Sequence, residues 1–217
     1  FSHLVAGADG SVYVAVPSGV WRKPSGAMQW SAGTGLPAAR ISALWADPVR
    51  ANVLVAGVAG SGLYRSTDGG ASWSAVPVDA ASPDIVSIGS AGNRIVTGTL
   101  GSGVAWSDDG GASFGAVQLP DQIPQIVTDM ASDAADPATL YLATGGQGVL
   151  KSTDGGGHWR FANAGLGSLS LLALAVHPTR SGELYAGTHG GVFVSKNGGA
   201  SWTGLNDGLV NRNVTSL

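Results

Sequence analysis

An all-β propeller is the fold this sequence predicts, and three observations predict it. A short signature recurs four times: Ser66-Thr-Asp-Gly-Gly-Ala-Ser-Trp73, Ser107-Asp-Asp-Gly-Gly-Ala-Ser-Phe114, Ser152-Thr-Asp-Gly-Gly-Gly-His-Trp159 and Ser195-Lys-Asn-Gly-Gly-Ala-Ser-Trp202. A decayed fifth copy, Lys23-Pro-Ser-Gly-Ala-Met-Gln-Trp30, puts the closing aromatics at 30, 73, 114, 159 and 202, a period of 41–45 residues. The segments between are short apolar runs broken by Gly-rich turns. A repeat of that length built from short strands is the mark of a propeller blade. Such a unit cannot bury a core alone, so residues 1–217 read as one domain of about five stacked repeats.

Residues 40–76 show the grammar of one blade. Ile41-Ser-Ala-Leu-Trp-Ala46 is a first strand, ended by Asp47-Pro48 because proline cannot donate to a ladder. Val53-Leu-Val-Ala-Gly57 is the second, Gly60-Ser-Gly62 turns the chain, and Leu63-Tyr-Arg65 begins the third. The signature follows, and Trp73-Ser-Ala-Val76 is the fourth. Second strands recur as Val12-Tyr-Val-Ala15, Ile95-Val-Thr-Gly98, Leu140-Tyr-Leu-Ala143 and Leu184-Tyr-Ala-Gly187. Third strands open at Gly19, Gly62, Gly103, Gly148 and Gly191. These runs are nearly continuous in apolar residues, which implies sheets covered on both faces.

The signature has a mechanical reading. An Asp accepts N–H groups of its own turn, paired glycines permit positive φ, and the aromatic that follows buries its ring against a neighbour. The structural set is Ser66, Asp68, Gly70, Trp73; Ser107, Asp109, Gly111, Phe114; Ser152, Asp154, Gly156, Trp159; and Ser195, Asn197, Gly199, Trp202.

These residues resemble the Asp-box, or bacterial neuraminidase repeat, Ser-x-Asp-x-Gly-x-Thr-Trp. Leu184-Tyr-Ala-Gly-Thr188 and Asp47-Pro48 look like the same superfamily, and the resemblance covers nearly the whole chain. Similar repeats occur in sialidases, xyloglucan-degrading endoglucanases, sortilin-type receptors and photosystem II assembly factors. The resemblance implies a propeller with its boxes on the outer rim, away from catalysis. Asp68, Asp109 and Asp154 therefore read as staples rather than as catalytic or calcium-binding groups. It also implies, with the non-Met start at Phe1, an extracellular or periplasmic location and a processed form or a piece of a longer parent with other domains.

Composition excludes several classes. Lys and Arg number only 11 and are scattered, against 14 acidic residues, so nucleic acid is not an expected partner. Charged residues make up 12%, well below the usual share of about 25%. Glycine, at 35 residues, recurs in fixed turn positions. There is no cysteine, hence no disulfide or thiolate site. No apolar run reaches the ~18 residues of a membrane helix, so membrane insertion is not expected.

Asn213-Val-Thr-Ser-Leu217 reads as a lone first strand that returns to close a five-bladed ring. Phe1-Ser-His-Leu-Val5 competes for the same slot, and the alternative is a piece of a larger ring. Aligned first strands put Ala43, Ser87, Asp129, Ala173 and Ser216 in one axial position, with His3 as the rival to Ser216. The loops feeding these strands add Arg40, Asp84, Gln125 and Arg212 as ligand-binding candidates, with Asp84 and Asp129 the candidate acid/base pair.

Sialidase chemistry needs a Tyr activated by a Glu. Glu183, the one glutamate, reads as exposed rim, and Tyr13, Tyr141 and Tyr185 as core, so no Tyr–Glu pair is expected. His3, His158, His177 and His189 lack metal-ligand spacing, and Gly145-Gly-Gln-Gly148 lacks the Lys-Ser/Thr of a phosphate loop. No metal or cofactor is expected. The expected function is a non-catalytic scaffold binding a protein or glycan. The alternative is a glycoside hydrolase or a fragment of one, motivated by Asp84, Asp129, Trp45 and Trp106.

Overall fold

The computed structural model describes residues 3–78, 84–117, 126–133 and 135–217. It is a β-propeller of five four-stranded antiparallel sheets. Blade one holds β1 (Leu4–Ala6), β2 (Val12–Val16), β3 (Gly19–Lys23) and β4 (Ser31–Ala32). Blade two holds β5 (Ile41–Ala46), β6 (Leu54–Val58), β7 (Gly62–Ser66) and β8 (Ser74–Val76). Blade three holds β9 (Ile85–Ala91), β10 (Arg94–Thr99), β11 (Val104–Ser107) and β12 (Gly115–Val117). Blade four holds β13 (Val127–Ser132), β14 (Leu140–Thr144), β15 (Val149–Ser152) and β16 (Arg160–Phe161). Blade five holds β17 (Leu171–Val176), β18 (Leu184–Thr188), β19 (Gly191–Ser195) and β20 (Thr203–Gly204). Strands pair in chain order within every sheet, as hairpin-connected neighbours do.

The core lies between the blades. Four apolar clusters join successive pairs: Tyr13, Leu54 and Trp73 in the first, Val55, Ile95 and Phe114 in the second, Val96, Leu140 and Trp159 in the third, Tyr141, Leu184 and Trp202 in the fourth. Second strands of interior blades are sandwiched, so β6 and β14 are buried at every residue. In β2 burial alternates, because only its Tyr13 and Ala15 face meets another blade.

The signature turns are cross-braced as the sequence implies. The Ser66 hydroxyl donates to Asp68 Oδ1 (2.7 Å) and accepts the Gly70 N–H (2.8 Å), while Asp68 takes the Ser72 N–H and hydroxyl. Ser107–Gly111, Ser152–Gly156 and Ser195–Gly199 repeat the central bond. Gly69 and Gly70 hold φ of +69° and +84°, the left-handed region that side chains resist. In blade four His158 Nδ1 meets Asp154 Oδ2 where other turns use a serine hydroxyl. In blade five the Asn197 amide donates to Ser201 Oγ instead.

Each turn then locks to the blade before it. The N–H groups of Trp73, Phe114 and Trp202 donate to the carbonyls of Thr34, Pro77 and Ala164. Cations reach across the same junctions: Arg65 Nε donates to Gly110 O (2.8 Å), Arg94 Nη1 to Gly155 O (3.4 Å) and Lys151 Nζ to Gly198 O (3.0 Å).

Ring closure by residues 213–217, expected from the sequence, is not seen among the described residues. First strands pack in the order β1, β5, β9, β13, β17, and among the described residues no comparable packing joins β17 back to β1. Leu4–Ala6 pairs with β2 and fills the first-strand slot of blade one. Residues 213–217 stay beside blade five, where the Val214 N–H donates to Thr188 O (3.0 Å). The open faces explain Trp30, which is 41% exposed against 5% for Trp73, because its ring has no preceding blade to enter.

Candidate functional site

The first strands form the innermost layer, and their register places the axial residues as aligned. Ala43 pairs with Gly57, Ser87 with Gly98, Asp129 with Ala143 and Ala173 with Gly187. His3 O accepts the N–H of Ala15, putting His3 rather than Ser216 at the blade-one level. Burial and the nearby Arg40 charge push His3 below the ordinary histidine range.

Asp129 is the carboxylate of this layer. Its Oδ1 accepts the Met130 N–H (2.8 Å) and its Oδ2 the Leu174 N–H (2.9 Å), so it ties β13 to β17. Burial pushes its carboxyl above the usual aspartate range, and the two N–H donors oppose that shift without cancelling it. Asp84 serves a different crossing: its Oδ1 accepts the Gly60 N–H (3.0 Å) and its carbonyl the Leu100 N–H. Arg40 lines a cleft of about 410 Å³ with Ala15, Pro17, Ala38 and Ile41, between blades one and two. Arg212 lies exposed in the segment after blade five. Gln125 falls outside the described residues. The candidates are thus spread over successive junctions.

The aromatics that motivated a hydrolase have structural partners. Arg94 stacks 4.1 Å from the Trp106 ring centre and pairs with Asp108 (2.8 Å), and Trp45 packs against the cluster between blades two and three. Among the described residues no three His, Cys, Asp or Glu side chains gather as a metal site. His177 Nδ1 accepts the N–H groups of Thr179 and Arg180, a turn role parallel to Asp47, which accepts those of Val49 and Arg50.

One group runs against the sequence reading. Glu183 is buried, not exposed rim, and accepts the Tyr185 hydroxyl at 2.5 Å and Arg180 Nη2 at 2.9 Å. A Tyr–Glu pair therefore exists. The signal was present, since residues two apart at a strand's start point to one face. The hydrogen bond from the Tyr185 hydroxyl holds the Glu183 carboxyl below its ordinary value and pushes the Tyr185 phenol up. A raised phenol is the opposite of an activated nucleophile.

The turn carboxyls make a pH prediction. The Ser72 hydroxyl, first, holds Asp68 down to about 2. Asp109 is lowered chiefly by the Ser113 hydroxyl, and Asp154 chiefly by the His158 N–H. Groups depressed in the folded chain contribute stability that is full above the unfolded value of about 3.9 and is lost as pH falls through the folded value. Asp129, being raised, contributes in the opposite sense: its share is present at low pH and is lost as pH rises through its folded value. Urea titrations are expected to show stability dropping between about pH 4 and pH 2. In the triple variant Asp68→Asn, Asp109→Asn, Asp154→Asn that drop is expected to flatten, because Asn197 shows that an amide fits the turn.

Comparison with known proteins agrees with this architecture. No family model matches the chain, and no curated protein matches it. Among solved structures, an ancestral GH74 enzyme superposes with a TM-score of 0.81 at 24% identity, over 97% of this chain and 32% of that one. The extracellular domain of a one-component system from B. thetaiotaomicron gives 0.71 at 18% identity, over 95% and 28%. YCF48 from Cyanidioschyzon merolae gives 0.61 at 15% identity, over 89% and 68%. The chain spans about a third of the length of the GH74 enzyme. At these identities the likeness is one of fold.

Proposed function

We propose that this chain is a non-catalytic binding or assembly scaffold of the Asp-box type, recognising a protein or glycan through the loops feeding its first strands. The observation that carries this reading is Asp129: both its oxygens accept main-chain N–H groups of adjacent blades, the work of a fold cross-link. Asp84, its proposed catalytic partner, is bonded into the blade-two loop at Gly60. The Arg40 cleft supplies a cation beside apolar walls, the mixture that ligand pockets favour. An extracellular or periplasmic location fits the extracellular domain of the one-component system it is similar to, and no helix of the described residues is long and apolar enough to cross a membrane.

A glycoside hydrolase, or part of one, is the second reading. It is favoured by the raised carboxyl of Asp129, a property proton donors need, and by the likeness to GH74 enzymes.

A glycan array combined with a hydrolysis assay separates them. On the scaffold reading, a bound oligosaccharide is released unchanged, and Arg40→Ala weakens binding about 10- to 100-fold, the worth of a charged hydrogen bond. Turnover by the chain that disappears in Asp129→Asn would instead establish the hydrolase.

A further inference from the structure

The outer face of blade five is exposed where earlier blades receive the next signature turn. Where blade five enters blade four, its Gly199 lies against Tyr141 and Ala162, its Trp202 indole donates to Ala162 O (2.7 Å), and its Trp202 N–H donates to Ala164 O. Gly165, at φ +83°, lets the chain pass so close that a Cβ there would stand 2.4 Å from Trp202 O. The junction of blades one and two repeats this with Tyr13, Thr34 and Gly35, whose Cβ would stand 2.3 Å from Trp73 O.

Blade five carries the same receiving parts in the same order. Phe161-Ala-Asn-Ala-Gly-Leu166 is matched by Gly204-Leu-Asn-Asp-Gly-Leu209. Asn163 Oδ1 accepts the Val149 N–H, and Asn206 Oδ1 accepts the Val192 N–H, so the two segments hold equivalent positions. Gly208 keeps the left-handed conformation (φ +78°) of Gly165 and Gly35, yet a Cβ there would meet no heavy atom within 4 Å. Leu205, matching the 8% exposed Ala162, is 57% exposed. Tyr185 occupies the strand position of the fully buried Tyr13 and Tyr141, but is only half-buried.

The inner edge of that face is already occupied by this chain. A Cβ on Gly57 would stand 2.8 Å from the Ile85 side chain of the next blade, and one on Gly98 2.5 Å from Val127. A Cβ on Gly187 would stand 2.8 Å from Val214 O. Val214 thus sits where Ile85 and Val127 sit, at the start of a following first strand.

We infer that residues 213–217 are the innermost strand of a sixth sheet, and that Tyr185, Leu205 and Gly208 receive that sheet's Gly-Gly turn and aromatic. The occupant is three further strands of the same grammar joined to residues 213–217. A second copy of the chain fits poorly. Two five-blade chains would make ten blades, whereas propellers run to about four to eight. Blade one would also offer Lys23-Pro-Ser-Gly-Ala-Met-Gln-Trp30, which lacks the Ser–Asp brace.

The test extends the chain after Leu217 with a copy of its own residues 45–78, which carries three strands and one intact turn. Leu217 corresponds to Leu44, so the copy continues the register. The expected result is amide exchange slowed at least about tenfold over residues 205–217 relative to the 217-residue chain. The protection is expected to vanish when the tryptophan of the copied turn is replaced by alanine, or when Leu205→Glu is made in the receiving face. Leu205→Glu in the unextended chain is expected to leave exchange unchanged, since that side chain is exposed. Unchanged exchange in the extended chain would overturn the inference. So would sedimentation showing that the unextended chain doubles in mass as concentration rises and protects residues 205–217 by doing so.

Discussion

Trp73→Ala is expected to lower the unfolding free energy by about 3–5 kcal/mol, the range for removing a large buried aromatic. The ring is 5% exposed between blades one and two, in one cluster with Tyr13, Leu54 and Ala56. Its indole N–H donates to Gly70 O, so the ring also pins the glycine pair of its own turn. Removal would leave a cavity at a junction whose walls are strands, and strands collapse poorly into such a space. Trp30→Ala is the matched control. That ring closes the decayed turn and is 41% exposed, so a loss within about 1 kcal/mol is expected. Urea unfolding of both variants measures the contrast. Equal losses would show that burial between blades is not what the signature aromatic contributes.

Asp129→Ala is expected to cost about 2–5 kcal/mol, because it strands two N–H donors at about 1–3 kcal/mol each. Those donors, on Met130 and Leu174, belong to different blades, so the loss falls on the junction of β13 and β17. Relief of the carboxylate's desolvation offsets part of it. Asp129→Asn is expected to cost less, since its amide oxygen still accepts one of the two bonds. Thermal and urea unfolding with both variants would check the order Ala worse than Asn. A loss below about 0.5 kcal/mol for Ala would remove the cross-link role and strengthen the hydrolase reading.

Repetition made most of the fold legible. The turn residues Ser66, Asp68, Gly70 and Trp73 act within eight positions, and local hydrogen bonding is what a short motif encodes. The axial register of Ala43, Ser87, Asp129 and Ala173 was legible for the same reason, since equal periods align equal depths. The candidate site was less legible. Arg40 and Asp84 precede their first strands while Asp129 lies within its own, all three at different junctions, and a one-dimensional alignment does not measure the distance between blades. The burial of Glu183 is not legible in the sequence because it depends on Tyr185 and Arg180 folding over it.

The sequence alone determined the blade, its four strands, its turn and its aromatic lock, because each is fixed by contacts along one repeat or between repeats of equal length. Only the tertiary structure decided that Leu4–Ala6 and not residues 213–217 completes blade one, and that among the described residues blade five keeps an open face. The physical reason is that closure depends on the angle between successive sheets. That angle is set by how side chains from neighbouring blades interdigitate, which no single repeat contains.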